Sequence, residues 1–182
     1  MKQAPQNLGR VTAKRIPAIL IAGSMAVLCA PAARAQPPGS PAAVKAIRAA
    51  YALTSAGHLI RDEFETLLAI ADPEVTEISP SGLRLSRKDW TQTLMKMLPV
   101  LGPNGDFKNT IGTPRWLGAA AAVDVTRDLK TTILRHGRTD PLEVIWRSKD
   151  IWVLAQGTWK IHVTQCLDQR EYIDGKLIYE LK

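Results

Sequence analysis

The stretch Pro141–Gly175, PLEVIWRSKDIWVLAQGTWKIHVTQCLDQREYIDG, constrains this chain more than any other. It reads as two long antiparallel strands joined at Gln156-Gly157, one carrying Trp146 and Trp152 and the other Trp159. Three of the five tryptophans lie in this ribbon, so its burial decides where everything else can sit. Asp174-Gly175 is a second hairpin signal and predicts a short last strand over 177–181.

Upstream, the pattern is helical first and strand-like later. Ser40 can cap a helix whose first turn takes Pro41 and whose apolar face carries Val44, Ile47 and Tyr51, with Gly57 as the expected C-terminal stop. A second helix carries Phe64, Leu67, Leu68 and Ala71 on one stripe, with acidic residues near its start that suit the helix dipole. Short strands are expected at 75–78 and 83–85. Ser86 and Asp89 form a near capping box for a third helix with Trp90, Leu94 and Met97 on its apolar face. Strands are then expected at 110–117, with Pro114 marking an edge or bulge, at 119–128 and at 131–134. Three helices followed by a run of strands predict an α+β fold, the helices covering one face of a strongly bent antiparallel sheet.

The first 35 residues are expected to be a cleavable export signal. Lys2, Arg10, Lys14 and Arg15 precede an apolar run over 16–30, and Ala33-Arg34-Ala35 provides a small-x-small cut after Ala35. The run is short for a membrane span, and Leu28 before Cys29 argues against a lipid anchor there. A periplasmic or secreted location is the expectation, with no membrane contact after cleavage. Residues 36–41, QPPGSP, read as a tether, and the domain as 42–182. The whole chain has 24 Lys+Arg and 17 Asp+Glu; five basic and no acidic residues leave with the signal, so the mature charge falls from +7 to +2. That small excess, with no compact basic cluster, removes the case for nucleic-acid binding. Cys166 would be the single mature cysteine, unable to form an intrachain disulfide and expected to be buried.

The order of elements resembles the nuclear-transport-factor-2-like superfamily, in particular its SnoaL-like or DUF4440 domains. The resemblance is carried by Leu67-Leu68-Ala69-Ile70-Ala71-Asp72-Pro73-Glu74-Val75, by Ser81-Gly82-Leu83-Arg84-Leu85-Ser86-Arg87-Lys88-Asp89, and by Asp150-Ile151-Trp152-Val153 with Gly157-Thr158-Trp159-Lys160-Ile161. It implies a cone: a curved sheet closed by helices over a mostly apolar pocket. The superfamily holds ketosteroid-isomerase-like and polyketide-cyclase-like enzymes beside binding and dimerisation modules, so the fold does not settle function. It also implies that the outer sheet face can serve a homodimer.

Candidate pocket residues follow from the faces. Trp159, Ile161 and Val163 share an apolar face, which places Gln165 inward, either satisfied by neighbours or offered to a ligand; Lys160, His162 and Thr164 then face outward. Trp90, Trp116, Trp146 and Trp159 are core residues or the walls of a site for an apolar, ring-shaped ligand. Tyr51 is a core residue or a hydrogen-bond donor to that ligand. Asp124 alternates away from Val123 and Val125 and is expected outside. No catalytic base can be assigned, no cofactor is implied, and the three histidines lack metal-ligand spacing. The expected function is a non-catalytic module for a small apolar molecule or a protein partner, the alternative an acid–base isomerase or lyase.

Overall fold

In the computed structural model residues 37–55 and 59–182 are described. The expected signal over 1–35, Cys29, Gln36, the helix stop Gly57 and His58 lie outside the described residues. The elements run α1 (Pro41–Leu53), α2 (Ile60–Ile70), β1 (Ala71–Ile78), β2 (Arg84–Ser86), α3 (Arg87–Met97), β3 (Asp106–Ile111), β4 (Arg115–Leu117), β5 (Ala120–Arg135), β6 (Arg138–Ala155), β7 (Thr158–Ile173) and β8 (Lys176–Leu181).

Local chemistry fixes the helix ends. The Ser40 hydroxyl accepts from the Ala43 amide at 3.2 Å, and Pro41 opens α1. The helix stops at Leu53, ahead of the expected glycine, where the Thr54 hydroxyl donates to the Tyr51 carbonyl at 2.9 Å. Ser86 and Asp89 close the capping box of α3. Arg87, beside that box, donates to the carbonyls of Leu68 (2.7 Å), Ala71 (3.1 Å) and Asp72 (3.0 Å). One guanidinium thus caps the end of α2 and ties α3 to it.

The strands form one curved mixed sheet in the order β2-β1-β7-β6-β5-β3, with β4 also on β5 and β8 on β7. The expected ribbon is β6 and β7, turning at Gln156 (φ 50°) and Gly157 (φ 79°), the left-handed pair that suits a two-residue hairpin. Two expectations change. The sheet is not wholly antiparallel, because β1 runs parallel to β7; no short turn joins them, so no hairpin dictates their relative direction. The strands expected at 119–128 and 131–134 are one strand, β5, paired to β6 through its whole length, while Pro114 falls in the gap between β3 and β4.

The largest departure is in the face pattern of β7. Ile151 faces Val163 but Trp152 faces Ile161, so His162 is an extra residue, and Leu167 is another between the partners of Arg147 and Ser148. Each bulge shifts the alternation by one. Trp159 and Ile161 are buried as expected, but beyond His162 the inner positions are Thr164 and Cys166, and Gln165 is exposed. Uninterrupted alternation predicted the reverse. Thr164 is buried because its hydroxyl donates to Asp150 Oδ1 at 2.6 Å.

The helices cover the concave face in two apolar clusters. One joins Ile47 and Tyr51 of α1 to Val123, Trp152, Trp159 and Ile161, with Trp116 against Trp159 (ring centroids 5.5 Å apart, edge-on). The other joins Ile60 and Phe64 of α2 to Phe107, Leu129, Val144 and Ile173. The bulge assigns opposite fates to adjacent residues. Thr164→Val should lower stability by about 1–3 kcal/mol through the lost donor, whereas Gln165→Leu should stay within about 0.5 kcal/mol, both read from urea midpoints.

Candidate functional site

Under α2 and α3 the concave face leaves a cavity of about 410 Å³. Phe64 and Leu67 of α2, Trp90, Leu94 and Met97 of α3, and Leu129, Val144 and Trp146 of the sheet give it apolar walls. Apart from Thr93 on α3, its polar groups lie on the strands: Glu77 on β1, Arg127 on β5, Ser148 on β6, and Thr164, Cys166, Gln169 and Glu171 on β7. Of the aromatic residues expected at a pocket, Trp90 and Trp146 line this cavity. Tyr51, Trp116 and Trp159 belong instead to the neighbouring core cluster. Gln165 is turned away by the His162 bulge.

Behind the polar wall is a network that inspection of the sequence did not assemble. Arg127 is 3% exposed and Asp150 is fully buried. Arg127 Nη2 donates to Asp150 Oδ2 at 2.5 Å, and Nη1 donates to the Ser148 hydroxyl. Asp150 Oδ2 also accepts from the Tyr51 hydroxyl at 2.7 Å, and Oδ1 from Ser148 at 3.0 Å and Thr164 at 2.6 Å. Trp152 Nε1 donates in turn to the Tyr51 oxygen at 2.8 Å. A carboxylate offers about four lone-pair sites, and here four donors occupy them. Tyr51 therefore faces Asp150 rather than a ligand, and Asp150 has no site left to take a proton from one.

Titration follows the same geometry. Burial, with the Asp150 carboxylate beside it, raises the Tyr51 pKa well above its ordinary value. For Arg127, burial alone would lower the pKa, but Asp150 and its neighbours raise it, so the guanidinium stays charged. Burial, helped by Glu77 and Asp168, pushes the Cys166 thiol up to about 11, which keeps it a thiol at neutral pH. Glu77 is different. It makes no hydrogen bond or ion pair with a described residue, and burial raises its pKa despite the opposing charge of Arg127.

The signal for Arg127 and Asp150 was present. Continuing the alternation of Val123 and Val125 puts Arg127 and Leu129 on the same inner face, and Trp146 and Trp152 put Ser148 and Asp150 on theirs. A charged residue on a buried face requires an opposite charge. Glu77 sits two residues after the buried Val75, on the same strand face. Asp124 is exposed, on the outer face of β5. Among the described residues no group of three His, Cys, Asp or Glu side chains could hold a metal ion, and no helix is long and apolar enough to cross a membrane.

Comparison with known proteins gives the architecture its place. A ketosteroid isomerase-like protein from Erwinia carotovora atroseptica superposes with a TM-score of 0.53 at 14% identity, covering 70% of this chain and 98% of that one. The chain has the nuclear-transport-factor-2-like fold. A hexachlorocyclohexane dehydrochlorinase, LinA type 2, gives a TM-score of 0.55 at 10% identity over 77% of this chain and 88% of its own. A protein of unknown function with a cystatin-like fold from Nostoc punctiforme gives 0.51 at 12% identity, over 70% and 91%. No family model and no curated protein matches the sequence. The same cone thus houses enzymes and proteins without a known activity, at identities that speak for the fold alone.

Two predictions test the site. Asp150→Ala strands the Arg127 charge and should cost about 3–5 kcal/mol. Adding Arg127→Met should recover part of that loss, the rest remaining because Tyr51, Ser148 and Thr164 have lost their acceptor; urea unfolding of both variants measures the difference. For Glu77, the folded pKa lies above the unfolded one, so the folded state holds more protons between the two values and stability falls with rising pH across that window. Glu77→Gln should therefore match the parent below the ordinary glutamate value of 4.5 and exceed it at neutral pH, as thermal melts across the range would register.

Proposed function

We propose that this is an exported, SnoaL-like domain that binds a small, largely apolar molecule in its cavity without transforming it. The observation that carries this reading is the state of the polar wall. Asp150, the carboxylate behind that wall, is saturated by Tyr51, Arg127, Ser148 and Thr164, so it serves as a structural anchor and not as a base. What remains is a largely apolar cleft of about 410 Å³, within the range of small-molecule sites. The expected export signal supports a periplasmic or secreted setting.

One residue favours the second reading, an acid–base enzyme of the isomerase or lyase kind. Glu77 is a carboxyl without a partner among the described residues, on the cavity wall, with its pKa raised by burial, the direction that favours a carboxylate acting as a general base. The ketosteroid isomerase-like and dehydrochlorinase neighbours make such chemistry worth testing, although it belongs to them. The exposed side chains of Asp124 on β5 and Leu167 on β7 mark the outer sheet face on which a homodimer contact would form.

Native mass spectrometry of the protein recovered from the exported fraction separates these possibilities. The binding reading expects a small molecule to co-purify with the parent protein and to be absent from Leu94→Trp, which fills the cavity from α3. Empty parent protein that turns over a ketosteroid or polyketide-like substrate, with turnover lost in Glu77→Gln, would reverse the order of the two readings. The same spectra report the oligomeric state.

A further inference from the structure

The charges around the cavity are unbalanced, and the imbalance specifies a ligand. Three ionisable side chains of permanent or potential charge line it besides the Cys166 thiol: Glu77, Arg127 and Glu171. The charge of the positive one is already matched, because Arg127 Nη2 contacts Asp150 at 2.5 Å and Nη1 is taken by Ser148, which leaves Nε as its one donor without a partner among the described residues. Glu171 receives one hydrogen bond, from Gln169 Nε2 at 2.7 Å, and no cation. Glu77 receives neither from a described residue. Among the described residues the wall therefore offers two carboxyls and one cation whose charge Asp150 already matches.

We propose that the molecule held in this cavity is a protonated amine with an apolar body, its ammonium set against Glu77 and its body against Trp90, Trp146 and Leu94. This rests on the binding reading and adds the ligand's chemical class. An anionic ligand would enter a space bordered by two carboxyls with the guanidinium already neutralised, and burying an unmatched charge is costly. A ligand without a donor would cover Glu77 while leaving its carboxyl unpaired, and a neutral hydroxyl would donate one hydrogen bond but leave the charge unmatched. An ammonium supplies both the donors and the charge that Glu77 lacks. Tryptophans on α3 and β6 add surfaces that attract cations as well as apolar groups. The groups that face Glu77 are Arg127 from β5 and Cys166 from β7; Cys166 remains a neutral thiol, and the Arg127 charge is met by Asp150.

Calorimetric titration of the purified protein with phenylbutylamine, phenylbutanol and phenylbutanoate tests this, since the three share one apolar body and differ in their polar end. The amine should bind at least about tenfold more tightly than the alcohol, the lower end for a hydrogen bond to a charged group, and the carboxylate should bind more weakly than either. Glu77→Gln, of nearly the same shape, should erase the preference for the amine and leave the alcohol's affinity in place. Glu171→Gln should reduce the preference only in part, and it provides an independent arm if Glu77→Gln folds poorly. Equal or tighter binding of the alcohol or the carboxylate would overturn the proposal while leaving the cavity a binding site. So would an amine preference that survives both variants. Failure of all three compounds to bind would instead overturn the binding reading on which it stands.

Discussion

Everything on the concave face depends on the ion pair between Arg127 and Asp150. Two charges taken out of water are tolerable only when each is matched and the remaining hydrogen-bonding capacity is filled. The carboxylate side of that condition is met by the guanidinium from β5, Ser148 beside Asp150 on β6, Thr164 from β7 and the Tyr51 hydroxyl from α1, while Arg127 keeps one donor, Nε, without a partner among the described residues. Trp152 then fixes the Tyr51 oxygen from the other side. Three consecutive strands are held to one register and to a helix far back in the chain, since a slip of one residue in any strand would turn a partner to the outer face and leave a buried charge alone. Buried pairs are weak sources of net stability, often no better than an apolar replacement of the same shape. What the pair contributes is a heavy penalty on every alternative register.

The bulges in β7 are part of the same condition. With uninterrupted alternation from Trp159, the inner face would receive Val163 and Gln165, and Asp150 would lack its Thr164 donor. Inserting His162 brings Thr164 and Cys166 inward, and inserting Leu167 turns Gln169 and Glu171 to the cavity. A bulge also bends and twists its strand more strongly, which suits a sheet that must curve around helices. The curvature that makes room for a cavity and the side chains that line it thus come from the same two residues.

Much of the fold was legible because its signals are local. The Ser40 cap, the Ser86–Asp89 box, the two glycine hairpins and the ribbon of β6 and β7 each depend on a few adjacent residues whose backbone preferences are strong. The parallel partnership of β1 and β7 was not, because no short connection dictates it. The site was legible only in part. Trp90 and Trp146 were assigned to a pocket from bulk and spacing and do line the cavity, but Trp116 and Trp159 have the same bulk and pack on each other. Gln165 was misplaced because a bulge leaves no mark in hydrophobic pattern: His162 and Leu167 are ordinary strand residues. Arg127 and Asp150 could have been found by extending the alternation of β5 and β6 past their apolar positions and asking what neutralises a buried charge.

Two carboxylates on one concave face end in opposite environments, and the difference defines what this cone can do. Asp150 is surrounded by donors and held by a guanidinium; its interactions are complete before any ligand arrives, so a ligand can neither protonate it nor bond to it without dismantling the network. Glu77, one strand beyond β7, is half-buried and has no hydrogen-bond or ion-pair partner among the described residues. Its partial desolvation raises its pKa, and such perturbed groups concentrate where function requires them. The free energy missing at Glu77 in the empty protein is available to whatever molecule supplies a donor there. A site organised in this way selects its occupant by what the protein leaves unsatisfied: the apolar walls accept many bodies of similar size, and the single unmatched carboxyl distinguishes among them.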